Sequence, residues 1–159
     1  MRHVERIVGA LEWLHASVQE HTRPWCFVLV DTLHLTHCVR PGVVKWNDVE
    51  AFDLRVAELG CKLLFLRAGP ATIWERGIKP RRNDQFVRGY ANKFGRTEEE
   101  IHSYFVREQE ELAQLFSRSV MPKLLLQNDD VGGDGVEEAW RFWTDDLVQK
   151  EKRLWPAAI

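Results

Sequence analysis

Long apolar runs and cysteine are both scarce in this sequence, and each scarcity excludes a class of protein. No stretch is long and apolar enough to span a bilayer, and no basic-then-apolar leader follows Met1, so we expect no membrane partner. The three cysteines, Cys26, Cys38 and Cys61, are odd in number and lack the spacing of metal ligands. We therefore expect no bound metal and a reduced, cytoplasmic setting.

A strong excess of positive charge is also missing. The 159 residues carry 22 Lys and Arg against 24 Asp and Glu, a formal net charge of -2. This balance argues against a general attraction to nucleic acid or to an anionic membrane. With 45% apolar residues, the chain is expected to form one domain over residues 1–159.

Three short apolar runs predict β-strands. They are Trp25–Asp31, Cys61–Leu66 and Pro122–Asn128. A strand that is apolar on both faces is typical of a parallel sheet with helices on either side. Because helical patterns separate the runs, the sequence predicts an α/β layered fold.

Apolar spacing and capping residues predict the helices. A first helix covers about Val4 to Gln19, and a second begins at Asn47 and ends before Gly60, with Asp53 on its solvated side. Later helices are expected from Pro70 to Arg76, from Asp84 to Gly95, from the Thr97 capping box onward, and after Gly135. The segment from Gly77 to Asn83 is predicted to be a loop.

Polar residues close two of the strand runs. Asp31 ends the first and Asn128 ends the third, while Arg67 directly follows the second. The carboxyl ends of parallel strands lie at one edge of a sheet, which is where such folds bind ligands. We therefore expect these side chains to converge on one pocket able to hold an anion.

A basic segment follows the second strand. Arginine suits phosphate because its guanidinium donates hydrogen bonds in pairs, and a basic lid is predicted at about 77–96. Ordinary solvated surface, with nearby glutamates pairing the arginines, is the alternative. The basic residues in and beside this segment are Arg76, Lys79, Arg81, Arg82 and Arg88.

The order of these elements resembles that of the P-loop kinases, in particular the nucleotide and nucleoside kinases. The similarity runs from roughly Val4 to Leu147 and corresponds to the later two-thirds of such an enzyme. It implies a three-layer fold, a parallel sheet flanked by helices, lacking the first strand and phosphate loop. It also implies phosphoryl transfer from ATP, with Mg²⁺, to a small hydroxylated or nucleotide acceptor.

The resemblance assigns a role to each candidate site residue. Asp31 matches the carboxylate near the magnesium and the acceptor hydroxyl, where it would be catalytic. His34 and His37, expected in the loop after it, would contact the acceptor; ordinary loop histidines are the alternative. The residues matching nucleotide-binding or phosphate-binding positions are Arg76, Arg81, Arg82, Arg88 and Asn128, with Asp129 beside the last of them.

The phosphate loop itself departs from the family pattern. The motif G-x-x-x-x-G-K-[ST] occurs nowhere in the sequence, and the family's first strand would precede Met1. A complete kinase would therefore need that part from outside this chain. The alternative is a non-catalytic remnant of the fold, acting as a binding or oligomerisation module. Without the missing strand, the strands at Cys26 and Cys61 either pair directly or leave an exposed edge, and such an edge predicts that the chain forms a homodimer or pairs with a fragment.

Overall fold

Helices make up most of the computed structural model, which describes residues 2–20, 28–30, 34–39, 44–81, 89, 97–129 and 134–154. A small parallel sheet of two strands accompanies them, so the mixed α/β class is confirmed. The elements in chain order are α1 (Arg2–Glu20), α2 (His34–Val39), α3 (Trp46–Glu58), β1 (Leu63–Arg67), α4 (Pro70–Thr72), a π-helical turn (Ile73–Ile78), a 3-10 turn (Lys79–Arg81), α5 (Glu98–Arg118), β2 (Lys123–Gln127) and α6 (Asp134–Leu154).

The second and third predicted strands are present as β1 and β2. Main-chain hydrogen bonds join them at both ends. The N–H of Leu63 donates to the carbonyl of Pro122 at 2.8 Å, and the N–H of Asn128 donates to the carbonyl of Arg67 at 2.6 Å. The apolar runs therefore indicated both strands correctly, within one or two residues.

The first predicted strand, Trp25–Asp31, is wrong where the structure describes it. Val28–Val30 form no strand, and Leu29 is 73% exposed. A residue so open to solvent is not in a strand that is covered on both faces. The other residues of that run, Asp31 among them, lie outside the described residues.

The start of α3 lies slightly earlier than its capping pattern indicated. Lys45, rather than Asn47, is the N-cap. The side chain of Asp48 accepts a hydrogen bond from the Lys45 N–H at 2.9 Å, which ties the first turn to the residue before it. At the other end, Gly60 adopts φ 76°, the left-handed conformation that ends helices.

The helix predicted from Pro70 begins at that residue, but it extends further than expected. Residues 77–81, predicted as loop, continue the helical path through the π-helical and 3-10 turns. The N–H of Lys79 donates to the carbonyl of Trp74, five residues earlier. Ile78 is buried with Ile101, and this packing holds the segment in helical form. Apart from Gly89, the predicted helix from Asp84 to Gly95 lies outside the described residues.

The capping box of α5 is confirmed. The Glu100 N–H donates to Thr97 Oγ1 at 3.2 Å, and the Thr97 N–H donates to Glu100 Oε2 at 3.1 Å. The predicted first and last helices are also present, as α1 and α6. In the described parts of the chain, no helix combines the length and the apolar character needed to cross a membrane.

The chain divides into two compact units, each with its own apolar cluster. The first unit comprises Met1–Leu63 and Arg107–Pro122, and the second comprises Leu64–Val106 and Lys123–Ile159. In the first, the buried cluster consists of Val4, Val8, Leu35, Trp46, Val49, Phe52, Val56 and Met121. In the second, Ile78 and Ile101 are buried, with Ile73, Trp74 and Phe105 packed against them.

The positive φ of Gly60 provides a test of the α3 terminus. Gly60→Ala should lower the free energy of unfolding by about 1–2 kcal/mol, because a Cβ disfavours the left-handed region. No atom lies within 4 Å of the Cβ position, so the effect comes from the backbone alone. Gly9→Ala, inside α1 and equally open, should stabilise by about 0.5–1 kcal/mol. Urea unfolding measures the free energy of unfolding of both variants. Equal changes in the same direction would contradict the left-handed conformation of Gly60.

Candidate functional site

The carboxyl ends of β1 and β2 lie side by side, at the edge where the sequence predicted a ligand site. Polar groups from the segments after both strands meet there and hydrogen-bond to one another. We call this group the strand-end cluster. Its members are Gly69, Thr72, Arg76, Gln127, Asn128 and Asp129.

Asp129 is the centre of the strand-end cluster. Its Oδ1 accepts hydrogen bonds from the Gly69 N–H and from Thr72 Oγ1, both at 2.6 Å, and its Oδ2 accepts one from the Gln127 amide. The Thr72 hydroxyl, followed by the Gln127 amide, the Gly69 N–H and the charge of Arg76, lowers the pKa of Asp129 to about 2. The carboxylate is therefore ionised at neutral pH, and it accepts three hydrogen bonds from its neighbours.

Glycine at position 69 allows this close approach. A Cβ there would lie 3.1 Å from Asp129 Oδ1 and 3.3 Å from Oδ2, tighter than ordinary contact. Gly69 also directly precedes Pro70, the first residue of α4. The carboxylate thus connects the segment after β2 to the start of the helix that follows β1.

Arg76 contacts main chain at the same edge. Its Nη1 donates to the carbonyl of Asn128 at 3.0 Å, and its Nη2 donates to the carbonyl of Asp129. The structure therefore brings together Arg76 and Asn128, two of the predicted nucleotide-binding residues. Both guanidinium contacts are made to protein carbonyls, so this arginine braces the segment after β2.

The remaining predicted phosphate ligands and the predicted catalytic residue cannot be placed in the site. Asp31, Arg82 and Arg88 lie outside the described residues, and of Arg81 only the backbone is described, at the end of the 3-10 turn. Their convergence with Arg76 stays a prediction. Lys79, in the same basic segment, pairs with Glu75 at 2.7 Å on the exposed surface.

The two predicted acceptor-binding histidines lie in a helix, so their placement in a loop was wrong. Both belong to α2, which begins at His34. His37 is half-buried, whereas His34 is 1% exposed. His34 Nε2 lies 2.8 Å from Asp53 Oδ1, so this histidine binds a carboxylate of the protein itself.

Asp53 is the centre of a second polar group, which we call the Asp53 hub. Besides His34, its carboxylate accepts hydrogen bonds from Ser119 Oγ at 2.7 Å and from the Val120 N–H at 2.8 Å. Ser119 Oγ in turn accepts from the Met121 N–H at 3.2 Å. The hub joins α2, α3 and the residues after α5 within the first unit.

The sequence interpretation missed the hub by placing Asp53 in solvent, whereas it is 1% exposed. The sequence did contain a pattern that indicates burial of this residue. Val49, Phe52 and Val56 form the buried stripe of α3, and position 53 falls in that stripe at the helical spacing of three and four residues. A carboxylate in an apolar stripe implies a buried hydrogen-bond partner.

The hub contains serine, histidine and aspartate, but its geometry does not suit nucleophilic catalysis. Ser119 Oγ donates to the carboxylate rather than to His34, so no base lies in position to activate the hydroxyl. Ser119 is also only 3% exposed. No group of three or more His, Cys, Asp or Glu side chains among the described residues could hold a metal ion.

Comparisons with known proteins leave the residues as the only guide to function. No protein-family model matches the chain, and no curated protein or solved structure matches it either. The resemblance to P-loop kinases therefore rests on the element order and on the arginine-bearing segment.

The strand-end cluster predicts a specific change in the titration of Asp129. Thr72→Val removes the hydroxyl that contributes most, so the pKa of Asp129 should rise from about 2 toward 3.8. Carbon-13 NMR of the carboxyl group measures this, and Ser103→Ala on the exposed side of α5 is the control. Since the folded pKa is the lower one, the carboxylate stabilises this unit above pH 3.8, and that contribution disappears as the pH falls toward 2. An unchanged titration would show that the hydroxyl does not hold the carboxylate.

The Asp53 hub predicts that a substitution of nearly equal volume at its centre lowers the stability of the protein. Asp53→Asn should lower the free energy of unfolding by about 1–3 kcal/mol, because the new NH₂ group would face a donor that now binds an oxygen. Urea unfolding at neutral pH measures it. Glu50→Gln, exposed on the same helix, makes the same chemical change and should stay within about 0.5 kcal/mol. Equal effects of the two substitutions would contradict a buried carboxylate hub.

Proposed function

We propose that this chain is a non-catalytic α/β module with the arrangement of a P-loop kinase, acting by binding or self-association. Two parallel strands with helices between them support this arrangement, since parallel pairing needs a crossover connection. The three-layer kinase fold without its first strand, and the cytoplasmic setting, are part of the proposal.

The strand-end cluster carries the proposal against catalysis. Phosphoryl transfer is catalysed by donors that are already aimed at the charge of the transferring group. Here Arg76 donates to two main-chain carbonyls, and the Asp129 carboxylate accepts three hydrogen bonds from its neighbours. Side chains that hydrogen-bond to other parts of the protein in this way stabilise the edge of the sheet.

A kinase completed by another chain is the second candidate. The position of Arg76 and Asn128 at the carboxyl ends of adjacent parallel strands favours it, because nucleotides bind at that edge in α/β folds. In this case Asp31 would orient the acceptor, and Arg81, Arg82 and Arg88 would bind phosphate. ATP and Mg²⁺ would bind at this edge, and a phosphate loop supplied from outside this chain would complete the catalytic site.

Calorimetry with ATP and Mg²⁺ separates the two candidates. A non-catalytic module should give no binding heat at millimolar nucleotide. Micromolar binding that the Arg81→Ala, Arg82→Ala double variant weakens by about 1–3 kcal/mol per arginine would overturn the first candidate and support the second. Lys45→Ala, an exposed basic residue in the other unit, is the matched control.

Self-association is the other measurable part of the proposal. The described sheet has two strands, fewer than a sheet needs for stability by itself, and Leu66 in β1 and Leu125 in β2 are exposed. Sedimentation velocity over a wide range of concentration should show a dimer. Leu125→Lys should shift the equilibrium toward monomer, whereas Leu54→Lys, an exposed leucine on α3, should not. A monomer at every concentration would contradict this part of the proposal.

A further inference from the structure

Helix α2 depends on its contacts with the rest of the first unit. It has six residues, far fewer than a helix needs to persist alone in water. Three of them, His34, Leu35 and Val39, are buried. His34 makes the polar contact to α3 through Asp53, so the ring of this histidine fixes the start of α2.

The hydrogen bonds of the hub determine which nitrogen of His34 carries the proton. The Asp53 carboxylate accepts from Ser119 and Val120, so it also accepts from His34, and the proton is assigned to Nε2. Nδ1 is then bare. It is buried, and it has no hydrogen-bond partner in the part of the chain that the structure describes. A neutral imidazole, with its single N–H at Nε2, matches these surroundings.

Protonation would change the ring in two unfavourable ways. It would add an N–H at Nδ1, where no acceptor is present among the described residues, and it would add a positive charge to a ring that is almost fully buried. Burial lowers the pKa of His34 below its ordinary 6.5, and this effect outweighs the hydrogen bond and negative charge of Asp53, which raise it. Among the described residues, Asp48 of α3 and Arg118 of α5 both act on Cys38, one turn along α2, and α2 itself carries His37.

We propose that His34 is an acid-sensitive latch: protonation of its imidazole releases α2 from α3. The latch stands apart from the function proposed above, because it needs neither nucleotide nor a second copy of the chain. The packed state is favoured while the ring is neutral, above pH 6.5, and it loses stability as the pH falls below that value. The released state takes up the proton that the packed state excludes.

Hydrogen exchange at two pH values tests the latch. After correction for intrinsic rates, protection of the α2 amides should fall by up to about tenfold between roughly pH 7.5 and 5.5, the factor set by protonation of an exposed histidine. Amides of α3 in the same unit are the internal reference and should keep their protection. His34→Gln, which cannot titrate, should abolish the pH effect on α2. His37→Gln, in the same helix, should leave it unchanged.

Three results would overturn the latch. They are equal α2 protection at both pH values, a loss that persists in His34→Gln, and a simultaneous loss in α3, which would show unfolding of the whole unit. Should His34→Gln fail to fold, NMR titration of the wild-type ring decides the question. A His34 that titrates below 6.5, together with the loss of α2 protection, supports the latch; one that titrates at or above 6.5 with α2 intact excludes it.

Discussion

The buried carboxylate of Asp53 is the constraint on which the first unit depends. A carboxylate removed from water is tolerated only when its oxygens are hydrogen-bonded, and here three donors from two separate parts of the chain supply those bonds. Apolar contacts are not directional, whereas hydrogen bonds to a buried carboxylate require their donors at defined positions. The hub allows only arrangements in which α2 and the end of α5 present their donors to α3, and it therefore selects one packing.

In the strand-end cluster, too, charged side chains are held by hydrogen bonds with other parts of the protein, here at the edge of the sheet. The Asp129 carboxylate accepts hydrogen bonds from the segment after β1, and the Arg76 guanidinium donates to main-chain carbonyls after β2. Polar residues at the carboxyl ends of parallel strands are commonly taken as a sign of catalysis. In this chain their mutual hydrogen bonds can account for their presence, and the proposal of a binding or self-associating module rests on that reading.

Features set by neighbouring residues could be predicted from the sequence. The α5 capping box, Pro70 at the start of α4 and the apolar runs of β1 and β2 depend on local contacts, and all were found. Asp53 was misread as solvated because one of its partners, Ser119, lies 66 residues away along the chain. The contact of Arg76 with the Asn128 carbonyl, 52 residues away, was likewise outside the reach of local patterns. Charge and spacing show that a side chain can make hydrogen bonds, but only tertiary packing determines whether it faces water, a ligand or another part of the protein.

The π-helical turn at Ile73–Ile78 limits how this part of the chain can change in length. Its hydrogen bonds reach five residues back, so the turn contains one more residue than an α-helical turn. Removing one residue inside the turn would restore ordinary α-helical winding and leave the residues on either side in nearly the same orientation, so Ile78 keeps its contact with Ile101. The same deletion in the regular winding of α5 would rotate everything beyond it by about a quarter turn. This segment therefore tolerates the loss of one residue better than a regular helix does.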